Sequence, residues 1–348
     1  MRIANVRGAC FVPRDGRSCA AVDQNLTPAP HPRRLLLVSL DNLGDLVFAS
    51  ALTPPLRERF PDLAITLWCK AYTRDIGALV PHVDRVIAAD PFWDRAPGRP
   101  RGNVFRFLAV MAQVRQGKFD TAVLAAAPWR TARAVAWCGV PVRVGFKGRK
   151  NERWLTHTLA PEDVHRPVLA EEARLLAPFG IAPQPLRYRL DAVRLAPRPD
   201  VERALVRRVV ALHPFASKRA RCVSVGVWIE VAHALEARGY EPLWLGSPAE
   251  LNEVRVSRGQ AHWTYVDQFG TRLADTAAAL ARAALFIGHD SGPLHLASAF
   301  GVPSLGIFAP GEPDRTFPQG VGRSGMIARP SPAGITAEEI VTAAFALV

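Results

Sequence analysis

Short uninterrupted apolar runs alternate with stretches of helical period along most of the chain. Leu35-Leu36-Leu37-Val38-Ser39-Leu40 lacks in–out alternation, the pattern of a strand buried on both faces. Asp41-Asn42-Leu43-Gly44 then reads as a loop, followed by a helical pattern over 45–59 in which Pro54 and Pro55 predict a break or kink. Further strands are predicted at 65–69, 85–88, 121–125 and 142–146, with helices at 104–115, 129–138 and 167–178. The second half repeats this grammar, with strands at 209–213, 242–246, 263–266, 285–289 and 303–308. Its helices are predicted at 225–238, 250–258, 273–283 and 294–300, and a capping box from Thr336 to Glu339 opens a last one. Strand–helix alternation, twice over, predicts an α/β chain of two Rossmann-like, doubly wound domains. The expected boundaries are a flexible extension at 1–32, a first domain at 33–185, a linker at 186–206, a second domain at 207–330 and a C-terminal helix at 331–348.

In doubly wound sheets, ligands sit beyond the carboxyl ends of the strands. That rule selects a few loops. After the strand at 285–289, Asp290-Ser291-Gly292 makes a turn and Pro293 suits a first helical turn, where a missing N–H is harmless. The N–H groups of Gly292 and Leu294, at the positive end of a helix, would suit a phosphate, and His295 lies within reach. An ordinary N-cap turn with Ser291 or Asp290 as the cap would use the same residues. After the strand at 209–213, Lys218 and Arg221 are candidates to hold a diphosphate, or they belong to a solvated basic loop. After the first strand, Asp45 is a candidate general base, with Asp41 as second choice; its alternative role is interaction with a helix dipole.

Three segments together resemble glycosyltransferase family 9, the ADP-heptose:lipopolysaccharide heptosyltransferases. The first is the strand at 35–40 with Gly44-Asp45 and the helix ending before Phe60-Pro61. The second is Phe119-Asp120 with the following strand and Val144-Gly145-Phe146. The third is the stretch from Gly288 to Gly301 with the loop from Pro303 to Arg315. The resemblance implies a GT-B architecture with the two domains facing across a cleft. It implies an inverting, metal-independent transfer of heptose from ADP-heptose to an acceptor hydroxyl, with no cofactor. By position it implies Asp45 as catalytic base, Asp290 near the donor sugar, Ser291, Gly292 and Leu294 at the diphosphate, and Glu250 at the ribose. Where the family carries Lys-Arg-Trp-Pro, this chain reads Arg221-Cys222-Val223-Ser224. A sugar-nucleotide epimerase-like enzyme and a non-catalytic partner protein remain as alternatives.

Composition sharpens the partner expectations. The 348 residues carry a net charge of +13, mostly from arginine, which suits an anionic partner or reflects a high-GC genome. Arg143, Lys147, Arg149 and Lys150 are candidates for an anionic acceptor, lipopolysaccharide inner core or another glycan or small molecule, with peripheral contact to a membrane's inner face. Few aromatics interleave with these arginines and no nucleic-acid motif is present, so nucleic acid is not an expected partner. Five cysteines without metal-ligand spacing and the absence of a long apolar run fit a cytoplasmic protein.

Overall fold

A computed structural model describes residues 27–95, 101–126, 128–195, 208–216, 218–257, 263–267 and 273–348. The chain divides into two compact units, one ending at Tyr188 and the other starting again at Arg189.

In the first unit, β1 (Arg34–Ser39) leads into α1 (Leu43–Ser50) and α2 (Thr53–Arg59), then β2 (Ala64–Cys69), α3 (Arg74–Gly77) and β3 (Arg85–Ala88). α4 (Val104–Gln116) crosses over to β4 (Thr121–Leu124), followed by α5 (Trp129–Trp137), β5 (Val142–Phe146), β6 (His157–Leu159) and α6 (Val168–Arg174). The sheet order is β3-β2-β1-β4-β5-β6, parallel throughout. Every residue of β4 is buried, and only the first residue of β1 is not, which explains the uninterrupted apolar runs. The break expected at Pro54 and Pro55 is present, just ahead of them. The turn at Ala51-Leu52 ends α1, and both prolines stand in the first turn of α2, where the N–H they lack has no helical partner.

The second unit repeats the architecture. β7 (Val209–His213), α7 (Val225–Glu236), β8 (Glu241–Gly246), α8 (Pro248–Ser257) and β9 (Thr264–Asp267) form one half. α9 (Leu273–Arg282), β10 (Leu285–His289), α10 (Gly292–Ala299), β11 (Ser304–Phe308), α11 (Pro313–Thr316) and β12 (Ser324–Ala328) form the other, closed by α12 (Ala337–Phe345). The order is β12-β11-β10-β7-β8-β9, again all parallel. Each unit owns a core. Leu36, Val38, Trp68, Phe107 and Val135 centre the first, and Leu212, Trp228, Trp244, Ile287 and Ile340 the second.

The sequence pattern did not signal β6, α3, α11 or β12, because each is short and carries no period of its own. Most of the expected extension, residues 1–26, lies outside the described residues. Its last residues are anchored: the Ala29 N–H donates to the Pro178 carbonyl at 2.7 Å, and the His31 ring stands edge-on to Phe60. The expected linker also packs at its start, with Tyr188 buried against Phe48 and the Leu190 N–H donating to the Ala299 carbonyl; residues 196–207 lie outside the described residues. The expected C-terminal helix is capped as its sequence suggests, Thr336 Oγ1 accepting from the Glu339 N–H at 3.2 Å, and α12 packs on α7.

Candidate active site

In each sheet the chain reverses its direction of travel beside the first strand, between β1 and β4 in one and between β7 and β10 in the other. The carboxyl ends at those two points are where a ligand crevice forms in such sheets.

At the second point, the register sets Gly288 of β10 beside His213 of β7. A Cβ at Gly288 would stand 2.9 Å from the His213 carbonyl oxygen and 2.7 Å from the Phe286 ring, so a side chain there would push the strands apart. His213 and His289 end the two strands and are both buried. The Val223 N–H donates to His289 Nε2 at 3.1 Å, and His289 Nδ1 lies 3.3 Å from the Ile307 carbonyl. An N–H can only donate and a carbonyl can only accept, so His289 is the neutral tautomer protonated at Nδ1. Burial lowers its pKa to about 4, and burial followed by the neighbouring His289 lowers that of His213 to about 3.

Ser291 joins these groups. Its hydroxyl donates to the His289 carbonyl at 3.0 Å and lies 3.1 Å from His213 Nδ1. A hydroxyl has one hydrogen, so His213 Nδ1 carries the proton of the second contact. Ser291 occupies the N-cap position of α10 with extended backbone, yet its side chain makes no cap bond. The Leu294 N–H, expected at a phosphate, instead donates to the Ser291 carbonyl at 3.1 Å. Gly292 therefore supplies the first-turn N–H that meets no acceptor among the described residues, since Pro293 has none to give. His295 is buried, with Nε2 3.7 Å from Asp290 Oδ1. Thr316 of α11 donates to the other oxygen of Asp290 at 3.1 Å.

The loop after β7 separates its basic residues. Lys218 is exposed and Arg221 half-buried, while Arg219 is ion-paired to Glu253 of α8. Cys222 Sγ accepts from the Ala216 N–H at 3.3 Å and so ties the loop to its own start. Glu250 lies at the next strand end, where its Oε2 accepts from the N–H and the hydroxyl of Ser247, both at 2.8 Å. That is a capping box on α8, and the other carboxylate oxygen meets no partner among the described residues.

At the first point, Asp45 stands at the third position of α1, exposed, with Oδ2 accepting from the Asn42 N–H at 3.0 Å. Asp41 precedes it on the loop between β1 and α1. Burial, then the charge of Asp45, raises the Asp41 carboxyl to about 6, with Lys70 opposing. Lys70 follows the neighbouring strand β2, is 2% exposed, and pairs with Asp94 at 2.8 Å. Glu172 of α6 is buried with an oxygen that meets no partner among the described residues; burial first, then the charges of Glu162 and Asp45, hold its carboxyl well above its ordinary value. The sequence marked Asp41 and Asp45 by their place after a strand. Lys70, Asp94 and Glu172 escaped it because their proximity comes from the sheet order and from α6 packing on α1.

The basic candidates separate as well. Arg143 is engaged with backbone carbonyls, its Nε donating to Trp154 and its NH1 to Val140 and Pro141, so it braces the turn rather than facing a ligand. Lys147 pairs with Glu152 at 3.0 Å. Arg149 and Lys150 are exposed on the loop after β5, and Lys150 lines an open cavity of about 660 Å³ with Gly148, Glu152 and Arg153.

Comparison with known proteins places this architecture. The description Glycosyltransferase family 9 (heptosyltransferase) matches residues 107–333. Lipopolysaccharide core heptosyltransferase OpsX of Haemophilus influenzae is 24% identical over 300 residues, 82% of each chain. Lipopolysaccharide heptosyltransferase 2 of Escherichia coli is 22% identical over 302 residues, 82% of this chain and 85% of that one. Among solved structures, E. coli ADP-heptose lps heptosyltransferase II superposes with a TM-score of 0.76 at 20% identity, covering 90% of this chain and 98% of that one. E. coli heptosyltransferase WaaC with ADP gives 0.73 at 17% identity, covering 89% and 98%. Two parallel doubly wound units of the GT-B kind, each with a polar site at its switch point, define a glycosyltransferase. The chain belongs to glycosyltransferase family 9, the heptosyltransferases.

Proposed function

We propose that this enzyme moves a heptose from ADP-heptose to a hydroxyl of lipopolysaccharide inner core or a related anionic glycan, with inversion and without a metal. The observation that carries the donor assignment is the start of α10, where Ser291 is turned toward His213 and the Gly292 N–H is left open. That N–H and the positive end of α10 hold the diphosphate, joined by Arg221 or Lys218. Asp290, held by Thr316, accepts from a sugar hydroxyl. The open oxygen of Glu250 meets the ribose.

Asp45 takes the proton of the acceptor hydroxyl. The acceptor oxygen bonds to the anomeric carbon as the bond from that carbon to the diphosphate oxygen breaks, and ADP leaves with the bonding pair. Positive charge and N–H donors stabilise the departing diphosphate, so one carboxylate base suffices. A second assignment of the base, to Asp41, is favoured by its pKa of about 6, nearer to that of an efficient base at neutral pH. Family membership favours neither the epimerase nor the non-catalytic alternative.

Calorimetric titration with ADP tests the donor site; failure to bind ADP would sink this reading. For the base, Asp45→Ala is expected to keep ADP affinity and lose turnover by about 10²–10⁴. If Asp45→Ala turns over normally while Asp41→Asn does not, the base is Asp41.

A further inference from the structure

The first unit has a second surface of distinct composition. α4 and α5 pack on the same core through Phe107, Val110 and Val135, and Cys138 Sγ donates to the Met111 carbonyl between them at 3.4 Å. Each helix also presents large apolar residues to solvent. On α4, Phe105 is 81% exposed and Leu108 51%. On α5, Trp129, Arg133 and Trp137 follow each other at i, i+4 spacing, and Trp137 is 57% exposed. The Arg133 guanidinium lies 4.8 Å from the Trp129 ring centre and 4.5 Å from that of Trp137, and Arg130 adds a contact of 4.9 Å to Trp129.

The two helices carry Arg106, Arg115, Arg130 and Arg133 and no carboxylate. An outer helix face in water ordinarily mixes polar residues of both signs. These faces combine bulky apolar groups with one sign of charge, as helices at a membrane interface do.

Position adds a second argument. α4 follows β3 and α5 follows β4, so the first turns of both, with Phe105 and Trp129, lie toward the carboxyl edge of the sheet. Asp41 and Asp45 follow β1 at that edge, and Arg149 and Lys150 follow β5 there. No helix among the described residues is long and apolar enough to cross a membrane, so attachment through these helices is peripheral.

We propose that the outer faces of α4 and α5 form a docking surface for an anionic lipid leaflet. Phe105 and Leu108 enter the boundary between headgroups and acyl chains, and the arginines meet lipid phosphates. Charge selects this occupant. A second copy of the chain, docked by the same faces, would set arginine against arginine, and a nucleic acid would leave Phe105 and Leu108 in water. The inference rests on the proposed lipid-borne acceptor, whose hydroxyl would then arrive at the edge that carries Asp45.

The test is sedimentation of the full chain with vesicles of phosphatidylcholine alone and of phosphatidylcholine mixed with phosphatidylglycerol. Binding is expected only to the mixed vesicles and is expected to weaken with salt. Arg106→Gln with Arg130→Gln should lower the partition constant about twenty-five-fold, from roughly fivefold for each basic residue at the surface. Phe105→Ser with Leu108→Ser should lower it more than about tenfold, while leaving thermal unfolding and ADP binding unchanged because both side chains face solvent. Equal binding to neutral vesicles, no binding to either, or unaltered binding by the variants would overturn the proposal. So would a concentration-dependent dimer that dissolves in the Phe105/Leu108 variant. No donor is present in this experiment, so its failure alongside normal ADP binding would remove the docking surface alone, whereas failure of ADP binding would remove the proposed function.

Discussion

Asp41 lies on the loop after β1 and Asp45 in the first turn of α1, and the charge of Asp45 shifts the ionisation of Asp41. Burial and the charge of Asp45 both raise Asp41 from 3.8 to about 6. Replacing Asp45 by Asn removes the second cause and leaves the first. The Asp41 carboxyl should then titrate lower but still above 3.8, as read by carboxyl NMR; an unchanged value would mean the two carboxylates do not sense each other. The buried histidines work in the opposite direction. Their folded pKa values, about 3 for His213 and about 4 for His289, lie below the ordinary 6.5. The stability this contributes is present above 6.5 and is lost as pH falls toward those values. Melting temperature should therefore drop between about pH 6.5 and 4, and His289→Gln should be less stable at neutral pH but flatter in that acid limb. An acid limb identical in slope would contradict the assignment. Asp290 and Ser291 were legible in the sequence because they directly follow a strand, and Asp45 because it opens the helix after one. The use of Ser291 was not, because its partner His213 stands 78 residues away and meets it only through the register of β7 and β10.

At the scale of elements, the strands were legible and the restraints upon them were not. Continuous apolar runs marked β1, β4, β7 and β10, since both faces of these strands are covered. The same pattern is silent about Gly288, whose missing side chain lets β7 and β10 close up. Gly288→Ala is expected to destabilise by about 1–3 kcal/mol in denaturant unfolding through overpacking, a cost that no surface substitution nearby should match. α6 carries a different restraint. Arg174 and Glu171 form a buried ion pair, and Arg174 also donates to the Ala160 and Pro161 carbonyls. Arg174→Ala removes the main partner of the buried Glu171 carboxylate, leaving it Arg166 at 3.6 Å and the Asp163 N–H at 3.0 Å, and should cost the lower end of about 3–5 kcal/mol, whereas a paired apolar replacement of both residues should cost much less. The doubled proline marks the break between α1 and α2 that its sequence predicts. Within a continuous helix it would be a kink, and in the first turn of α2 it conforms to the backbone.

At the scale of the molecule, two copies of one strand order give two switch points with different chemistry, carboxylates at β1 and an open helix start with neutral histidines at β10. The repeated grammar of the sequence made this duplication visible, but the sheet order that brings β1 beside β4 and β7 beside β10 is a long-range property without a local signal. The division of labour has a consequence for where ADP acts. The groups proposed to hold it, Gly292, Asp290, Glu250 and the basic loop before Cys222, all belong to the second unit. Hydrogen exchange with saturating ADP should therefore slow at the starts of α8 and α10 and in the loop after β7, with the loop from Asp41 to Asp45 unaltered. At a concentration of about 100 Kd the bound nucleotide should stabilise the folded chain by about 2.7 kcal/mol. Protection confined to the first unit would instead place the nucleotide beside Asp45, and the two switch points would have to exchange roles.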